Sequence, residues 1–428
     1  MATRATSAIV TQGVSTGLAD TSFACAQIPC IKDEDKFLMY DGTGEPGMER
    51  VCDLLVAVFD GHGGQEGSNF VRRNFLRTLA EEYSKAVGAA EAMAACGGDD
   101  ALELQPAPAS RGRDKLLMGS KYCLLDCPVY AAMTESKGPV AESVVAAEKV
   151  LELKPRPREW CGWGPAGKII DMAIDAAFVR LDAELVKYYP RGGTTAVVTL
   201  FKKTEEGTAI KTAWAGDSRA IVVTPAGGWD ISYDHKPDDP DEAGRIRTSL
   251  DRASLDDAKA QEIMQQQEEK RAMQKDDPEP GAKPVTPLQQ GILEDFVETS
   301  GPVARVVASK TGVSLACSRS LGDRGKSVAV IPNPCFINAL VRGGERARII
   351  LCSDGVWDVV NTDRATTEVF FSYQPSPADA ANHLTKYALA ARNRNIDEWG
   401  VDDITALIVD IQSEDSVNMV LKGMAGQR

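Results

Sequence analysis

The stretch Leu54-Leu55-Val56-Ala57-Val58-Phe59-Asp60-Gly61-His62-Gly63-Gly64 decides how the rest of this chain is read. Six apolar residues run into an acid, then into a turn that carries one of the protein's 3 histidines. The apolar run has the length of a buried strand, and the glycines must end it in a tight turn with exposed backbone. An Asp and a His held at the tip of a rigid strand suit a metal ion or a proton transfer. Asp-Gly is also a common turn, so this stretch alone leaves both readings open.

Composition narrows the field. A chain of 428 residues, 43% of them hydrophobic, has room for one large domain or two to three ordinary ones with a large core. The net charge of −14 argues against non-specific binding to nucleic acid or to an anionic membrane surface. No apolar run reaches the length of a transmembrane helix, so no membrane anchor is expected. The start, Met1-Ala2-Thr3-Arg4-Ala5, has neither a signal-peptide apolar stretch nor the Gly at position 2 that myristoylation needs. The 10 cysteines show no zinc-type pairing, and several, such as Cys317 and Cys352, sit in apolar runs and read as small core residues. Reduced thiols in the cytosol or nucleus are expected.

Outward from the opening strand, residues 1–22 read as a loose polar arm. Lys32-Asp33-Glu34-Asp35-Lys36 reads as a charged loop before the strand Phe37-Leu38-Met39. A helix is predicted from about Gln65 to Ala86, with Phe70, Phe75, Leu76 and Leu79 on its apolar face. Residues 88–165, rich in Ala, Gly and Pro, read as an insertion. Within it, Gly162-Trp163-Gly164-Pro165-Ala166-Gly167-Lys168-Ile169 nearly matches a phosphate-binding loop, but lacks the Ser/Thr and the preceding strand that such a loop needs. Ile170, Ile174, Ala177, Phe178, Leu181 and Leu185 then repeat at helical spacing.

From Gly192 the chain reads as a meander: Thr194–Phe201, Ala209–Ala215 and Ala220–Thr224, joined by turns short enough to require antiparallel neighbours. Residues 236–300 form a second insertion, with a polar helical piece at Lys259–Lys275. Strands are predicted at Val303–Val307, Val313–Cys317, Val328–Ile331, Phe336–Val341, Arg348–Ser353 and Ile404–Ile411. Helices fall near Arg364–Phe371 and Pro377–Arg392, and 413–428 reads as a tail. Strands in runs and helices in separate blocks indicate an α+β fold with layered sheets.

Four acidic positions share one pattern, an Asp at the end of an apolar strand: Phe59-Asp60-Gly61, Ala215-Gly216-Asp217-Ser218, Ser353-Asp354-Gly355, and Asp402-Asp403 heading Ile404. One such Asp is more often a turn former or a helix cap. Several able to meet along one sheet edge reverse that judgement, because clustered carboxylates repel unless a cation neutralises them. All-oxygen ligands favour a hard ion, magnesium or manganese.

These stretches, together with Gly192-Gly193-Thr194-Thr195-Ala196, Asp234-His235-Lys236-Pro237 and Ser318-Arg319-Ser320-Leu321-Gly322-Asp323, follow one another in the order found in a known family. The chain resembles the type 2C metal-dependent protein serine/threonine phosphatases, the PPM family, over about residues 20–412 apart from the two insertions. The resemblance implies a catalytic domain over 23–412, built as a β-sandwich of two antiparallel sheets flanked by helices on both faces (αββα). It implies hydrolysis of phosphoserine and phosphothreonine in proteins by water activated at two Mg2+ or Mn2+ ions, with a weaker third site. By position Asp60 would bridge both ions. Asp354 and Asp402 would complete one shell, and Glu34 with the carbonyl of Gly61 the other. Asp217 and Asp358, with Asp354, match the third site, while Asp35 and Asp403 support bound water and ligands. Asp323 and Arg319 read as a bracing pair.

A serine or threonine oxygen leaves poorly, and His62, two residues from Asp60, is the candidate general acid. His235 and His383 are weaker choices. Among other phosphatase chemistries, no cysteine here has an Arg six residues later, so a Cys-x5-Arg loop is absent. The resemblance also implies phosphoprotein partners, and the chain is expected to act as a monomer. One position departs from the family: Cys30 stands where an Arg usually grips the substrate phosphate, with Lys32 nearby as a partial substitute. That departure keeps a second reading alive, a catalytically weakened, phosphatase-like regulatory or binding protein.

Overall fold

The computed structural model of the chain describes residues 9–15, 18, 21–30, 32–96, 125–126, 163, 166–249, 296–298, 304–308, 313–394 and 400–411. Two units are present. The first comprises Met1–Asp234, Arg319–Gly322 and Pro332–Arg428, the second His235–Ser318 and Asp323–Ile331.

The first unit holds two six-stranded antiparallel sheets. One runs in the order β1 (Ile9–Val14), β2 (Thr21–Ile28), β17 (Ile404–Ile411), β16 (Ala347–Cys352), β10 (Arg219–Thr224) and β11 (Gly227–Asp230). The other runs β3 (Lys36–Tyr40), β4 (Leu54–Phe59), β8 (Ala196–Thr204), β9 (Gly207–Ala215), β15 (Cys335–Arg342) and β6 (Leu125–Asp126). A short ribbon pairs β5 (Gly61–His62) with β7 (Gly193–Thr194). The helices are α1 (Glu66–Cys96), α2 (Ala166–Tyr188), α3 (Asp354–Trp357), α4 (Thr362–Glu368) and α5 (Pro377–Arg394).

The unbroken apolar run of β4 is explained by burial on both sides. Leu55, Ala57 and Phe59 join a core with α1 and α2, while Leu54, Val56 and Val58 join a core between the sheets. Residues that alternate along a strand face opposite sides, so a strand inside a layered stack needs no polar face. Phe75 of α1 lies 5.9 Å from Phe59 and 5.8 Å from Phe178 of α2, tying both helices to that sheet. On the far side Ile404, Ala406 and Ile408 of β17 pack with Val356, Ala365, Leu384 and Ala388 of the last three helices. The result is the expected αββα sandwich. The helical repeat from Ile170 to Leu185 is fully buried, as its spacing predicts.

In the second unit β12 (Phe296–Glu298), β13 (Arg305–Ala308) and β14 (Val313–Leu315) make an antiparallel three-stranded sheet. Ile246, Val306, Leu315, Ala329 and Val330 form its own small core.

Several expectations shift. Part of the stretch 1–22, read as a loose arm, forms β1 and pairs with β2 in register Ile9 to Gln27. The first helix runs to Cys96, past the boundary set at 88. Residues 328–331, read as a strand, hold a turn at 328–329 and a single bridge residue at 331. The polar helical piece at 259–275, most of both insertions, and 413–428 lie outside the described residues.

The meander also breaks at one place. β8 and β9 pair as expected, but β10 pairs with β16 and β11, so Gly216-Asp217-Ser218 crosses between sheets rather than turning a hairpin. Three residues span about 10 Å when extended, which is the spacing of packed sheets. Gly216 has φ +122, where a side chain is strained, and an added Cβ would lie 2.5 Å from Cβ of Thr195. β2 and β3 likewise lie in different sheets, joined across residues 29–35.

Candidate active site

These two crossings, with the strand register, set the site. Ile28 pairs with Ile404, Cys352 with Ala406, and Arg219 with Cys352, so these positions mark one end of the first sheet. Lys36 pairs with Phe59 and Ala196 with Ala215, marking an end of the second. The crossings 29–35 and 216–218 join those two ends to each other. Glu34, Asp35, Asp60, Asp217, Asp354, Asp402 and Asp403 therefore all sit at one end of the sandwich.

Asp60 is held by its backbone. Its N–H donates to Thr195 Oγ1 at 3.3 Å, and its carbonyl accepts from Thr195 N at 2.8 Å and Thr194 Oγ1 at 3.0 Å. Thr195 Oγ1 lies 2.7 Å from Ser218 Oγ, which links the Asp60 turn to the crossing that carries Asp217. The Gly192–Thr195 stretch thus fixes the strand tip.

The crossing 29–35 is clamped by Asp403. Its carboxylate accepts the N–H of Cys30 on one oxygen, and those of Glu34 at 2.5 Å and Asp35 at 3.1 Å on the other. Asp33 adopts φ 48, a left-handed kink that Asp tolerates better than most residues. Glu34 is half-buried, and its Oε1 accepts from Gly64 N at 2.7 Å, while its carbonyl accepts from Ser68 Oγ. Asp35 is fully buried and accepts from Ser353 Oγ at 2.7 Å. His62 is half-buried beside Gly193 in the β5–β7 ribbon.

The cluster is electrostatically strained. Burial, then the charges of Asp354, Asp35, Asp402 and Asp217, push the Asp60 carboxyl well above its ordinary value. Burial and Asp403 raise Asp35 to about 7, against the Ser353 hydrogen bond. Burial and Asp35 raise Asp402 to about 6, with Arg392 and Lys32 opposing. Lys32 Nζ lies 3.9 Å from Glu34 Oε2 on a largely exposed side chain. Burial alone would lower its ammonium, but Asp402 and Glu34 together hold it above the ordinary value. Burial and a hydrogen bond to Asp403 push the Cys30 thiol up to about 11, so this position is neutral.

Asp323 belongs to the second unit, where it is buried and bonds Lys326 Nζ at 2.5 Å. Arg319, read as its bracing partner, bonds the carbonyl of Asn333 at 3.0 Å. His235 is buried in the second unit. His383 Nε2 lies 2.6 Å from Glu368 Oε2 on the helix layer.

The family model described as "Protein phosphatase 2C" matches residues 167–266 and 294–396. The chain is similar to this family over those residues. It is 25% identical over 344 residues to "Protein phosphatase 2C 56" of Arabidopsis thaliana, covering 80% of this chain and 50% of that protein. It is 23% identical over 406 residues to "Protein phosphatase 2C 16" of the same plant, covering 92% and 56%. The chain thus spans about half the length of these relatives. A solved serine-threonine phosphatase 2C from Toxoplasma gondii shares the fold, with TM-score 0.51 and 19% identity over 94% of this chain and 99% of that one.

Protein phosphatase 2C members depend on metal ions, generally Mg2+ or Mn2+. Among the described residues no three carboxyl, thiol or imidazole groups are drawn into a ready metal cage. The donor chemistry fits all the same. The charges of Asp354, Asp35, Asp402 and Asp217 all raise the Asp60 carboxyl at one end of the fold, and a hard divalent cation is the partner that relieves such repulsion. Two contributors escaped the sequence reading. Ser353 bridges Asp35 to the N–H of Thr405 at 3.2 Å, and Arg392 approaches from α5. Neither shows a local signal, since Arg392 sits among ordinary helix residues.

Proposed function

We propose that this chain hydrolyses phosphoserine and phosphothreonine in proteins with the help of divalent metal ions, Mg2+ or Mn2+. One observation carries the reading: the register and the two sheet crossings bring Glu34, Asp60, Asp217, Asp354 and Asp402 to the same end of the sandwich. Asp60, Asp354 and Asp402, with Glu34 and the Gly61 carbonyl, would hold two ions, and Asp217 and Asp358 would serve a weaker third. Bound there, the ions supply an acidified water as nucleophile and offset the charge growing on the phosphoryl oxygens. The remaining steps belong to the chain's own residues. Asp35 orients water from behind, and His62 gives a proton to the leaving serine or threonine oxygen. Lys32 offers a positive charge to the incoming phosphate, in place of the fork that Cys30 lacks. The described free thiols, Cys25, Cys30, Cys52, Cys317, Cys335 and Cys352, support a reducing compartment, cytosol or nucleus, and we place the protein there as a monomer acting on phosphoproteins.

The test is manganese-dependent hydrolysis of a phosphothreonine peptide. Wild type turns over, and Asp60→Asn loses ~10²-fold or more in kcat as several kcal/mol of charge stabilisation disappear. Cys30→Arg gains roughly ten- to a hundredfold in kcat/KM from a charge-assisted phosphate contact. Equal rates for wild type and Asp60→Asn overturn the metal mechanism. An inert wild type rescued by Cys30→Arg identifies a phosphatase-like binding protein instead.

A further inference from the structure

The guanidinium of Arg392 reaches the back of the acidic end from the helix layer. It is fully buried on α5, where a cation is costly unless its donors are used. Its hydrogen bonds run to the segment that carries Asp354. Nε donates to the carbonyl of Gly355 at 2.8 Å, and Nη2 to the carbonyl of Asp354 at 3.0 Å and to Asp358 Oδ2 at 2.9 Å. Nη2 also stands 3.9 Å from Asp402 Oδ2, on the segment that heads β17.

We propose that Arg392 is a positioning residue that holds the Asp354–Asp358 turn and Asp402 in one arrangement, and so sets the affinity of the site for its divalent ion. This inference rests on the metal-dependent reading above. Asp354 and Asp402 are 48 residues apart in the chain, and the β16–β17 pairing brings only their backbones together. Pairing ends at Cys352 and leaves the directions of the carboxylates on the turn that follows free, because α3 is a single short turn of helix. The planar fork removes that freedom: it grips two successive carbonyls and one carboxylate of the turn while facing the second segment. A lysine carries the same charge but cannot take all of these acceptors at once. Arg392 touches neither substrate nor the reacting atoms, so it acts only through the carboxylates it holds.

The experiment measures Mn2+ binding by the electron-spin resonance signal of the free ion, alongside thermal melting of the metal-free protein. Wild type, Arg392→Lys and Arg392→Gln are compared. Removing a group that orients metal ligands costs roughly 10–100-fold in affinity, so Arg392→Gln loses about that and Arg392→Lys an intermediate amount. A merely structural arginine lowers the melting temperature and leaves the affinity of the folded protein unchanged, and that result overturns the proposal. Should Arg392→Gln fail to fold, Arg392→Lys decides, since it retains the buried charge. If wild type binds no Mn2+, the metal-dependent reading has failed. If wild type binds and both variants bind equally well, only the role of Arg392 has failed.

Discussion

At the scale of the residue, Asp60 shows how one side chain can be costly to stability and necessary to function. Its carboxyl is held above its ordinary value by burial and by Asp354, Asp35, Asp402 and Asp217. A raised carboxyl pKa means that the metal-free fold prefers the protonated form. The associated stability is present below the ordinary pKa and is lost as pH rises through the folded value. Asp60→Asn mimics the protonated form at every pH. In the metal-free state the variant melts with wild type near about pH 4, and wild type falls progressively behind as the pH rises towards about 8. Asp402, raised to about 6, and Asp35, raised to about 7, widen that gap because their charges appear in the same range. Melting curves that run parallel across the range contradict this account of the cluster. Cys30, by contrast, is neutral and supplies an N–H rather than a charge.

At the scale of the element, the join between α3 and the head of β17 is the tightest place near the site. A Cβ on Gly355 would lie 1.8 Å from the carbonyl oxygen of Asp403, a backbone atom that cannot swing away. Asp403 in turn clamps the N–H groups of Cys30, Glu34 and Asp35. Gly→Ala within a helix ordinarily gains up to about 1 kcal/mol. Here the sign reverses, and Gly355→Ala destabilises by about 1–3 kcal/mol through overpacking. Urea unfolding of the metal-free protein checks this, and a neutral or stabilising result refutes the close approach. Because Asp403 carries the disturbance to the 29–35 crossing, the amides of Glu34 and Asp35 also exchange faster in the variant.

At the scale of the whole molecule, repulsion among carboxylates at one end of the sandwich is relieved by a bound ion. Mn2+ at about a hundred times its dissociation constant stabilises the fold by about 2.7 kcal/mol, and chelation reverses it. Sodium chloride at equal ionic strength screens charges without entering the site, so it gives a much smaller rise in melting temperature. Equal rises from both salts count against a specific site. The sequence alone determined the main core elements, because the double-sided apolar runs at Leu54–Phe59 and Ile404–Ile411 and the helical repeat from Ile170 to Leu185 are local patterns. It also determined which acids to consider, since each stands at a strand end or beside one. It misread the link from β9 to β10 as a hairpin, because a short turn looks the same whether it returns to its own sheet or crosses to another. Both strands are buried on both faces along most of their length, so no periodicity distinguishes the two. Only tertiary pairing placed β10 beside β16, turned Gly216-Asp217-Ser218 into a crossing, and so brought Asp217 to the end where Asp60 stands. Arg392 was likewise invisible, because a buried guanidinium is identified by the carbonyls and carboxylates it meets, and those come from other segments of the fold.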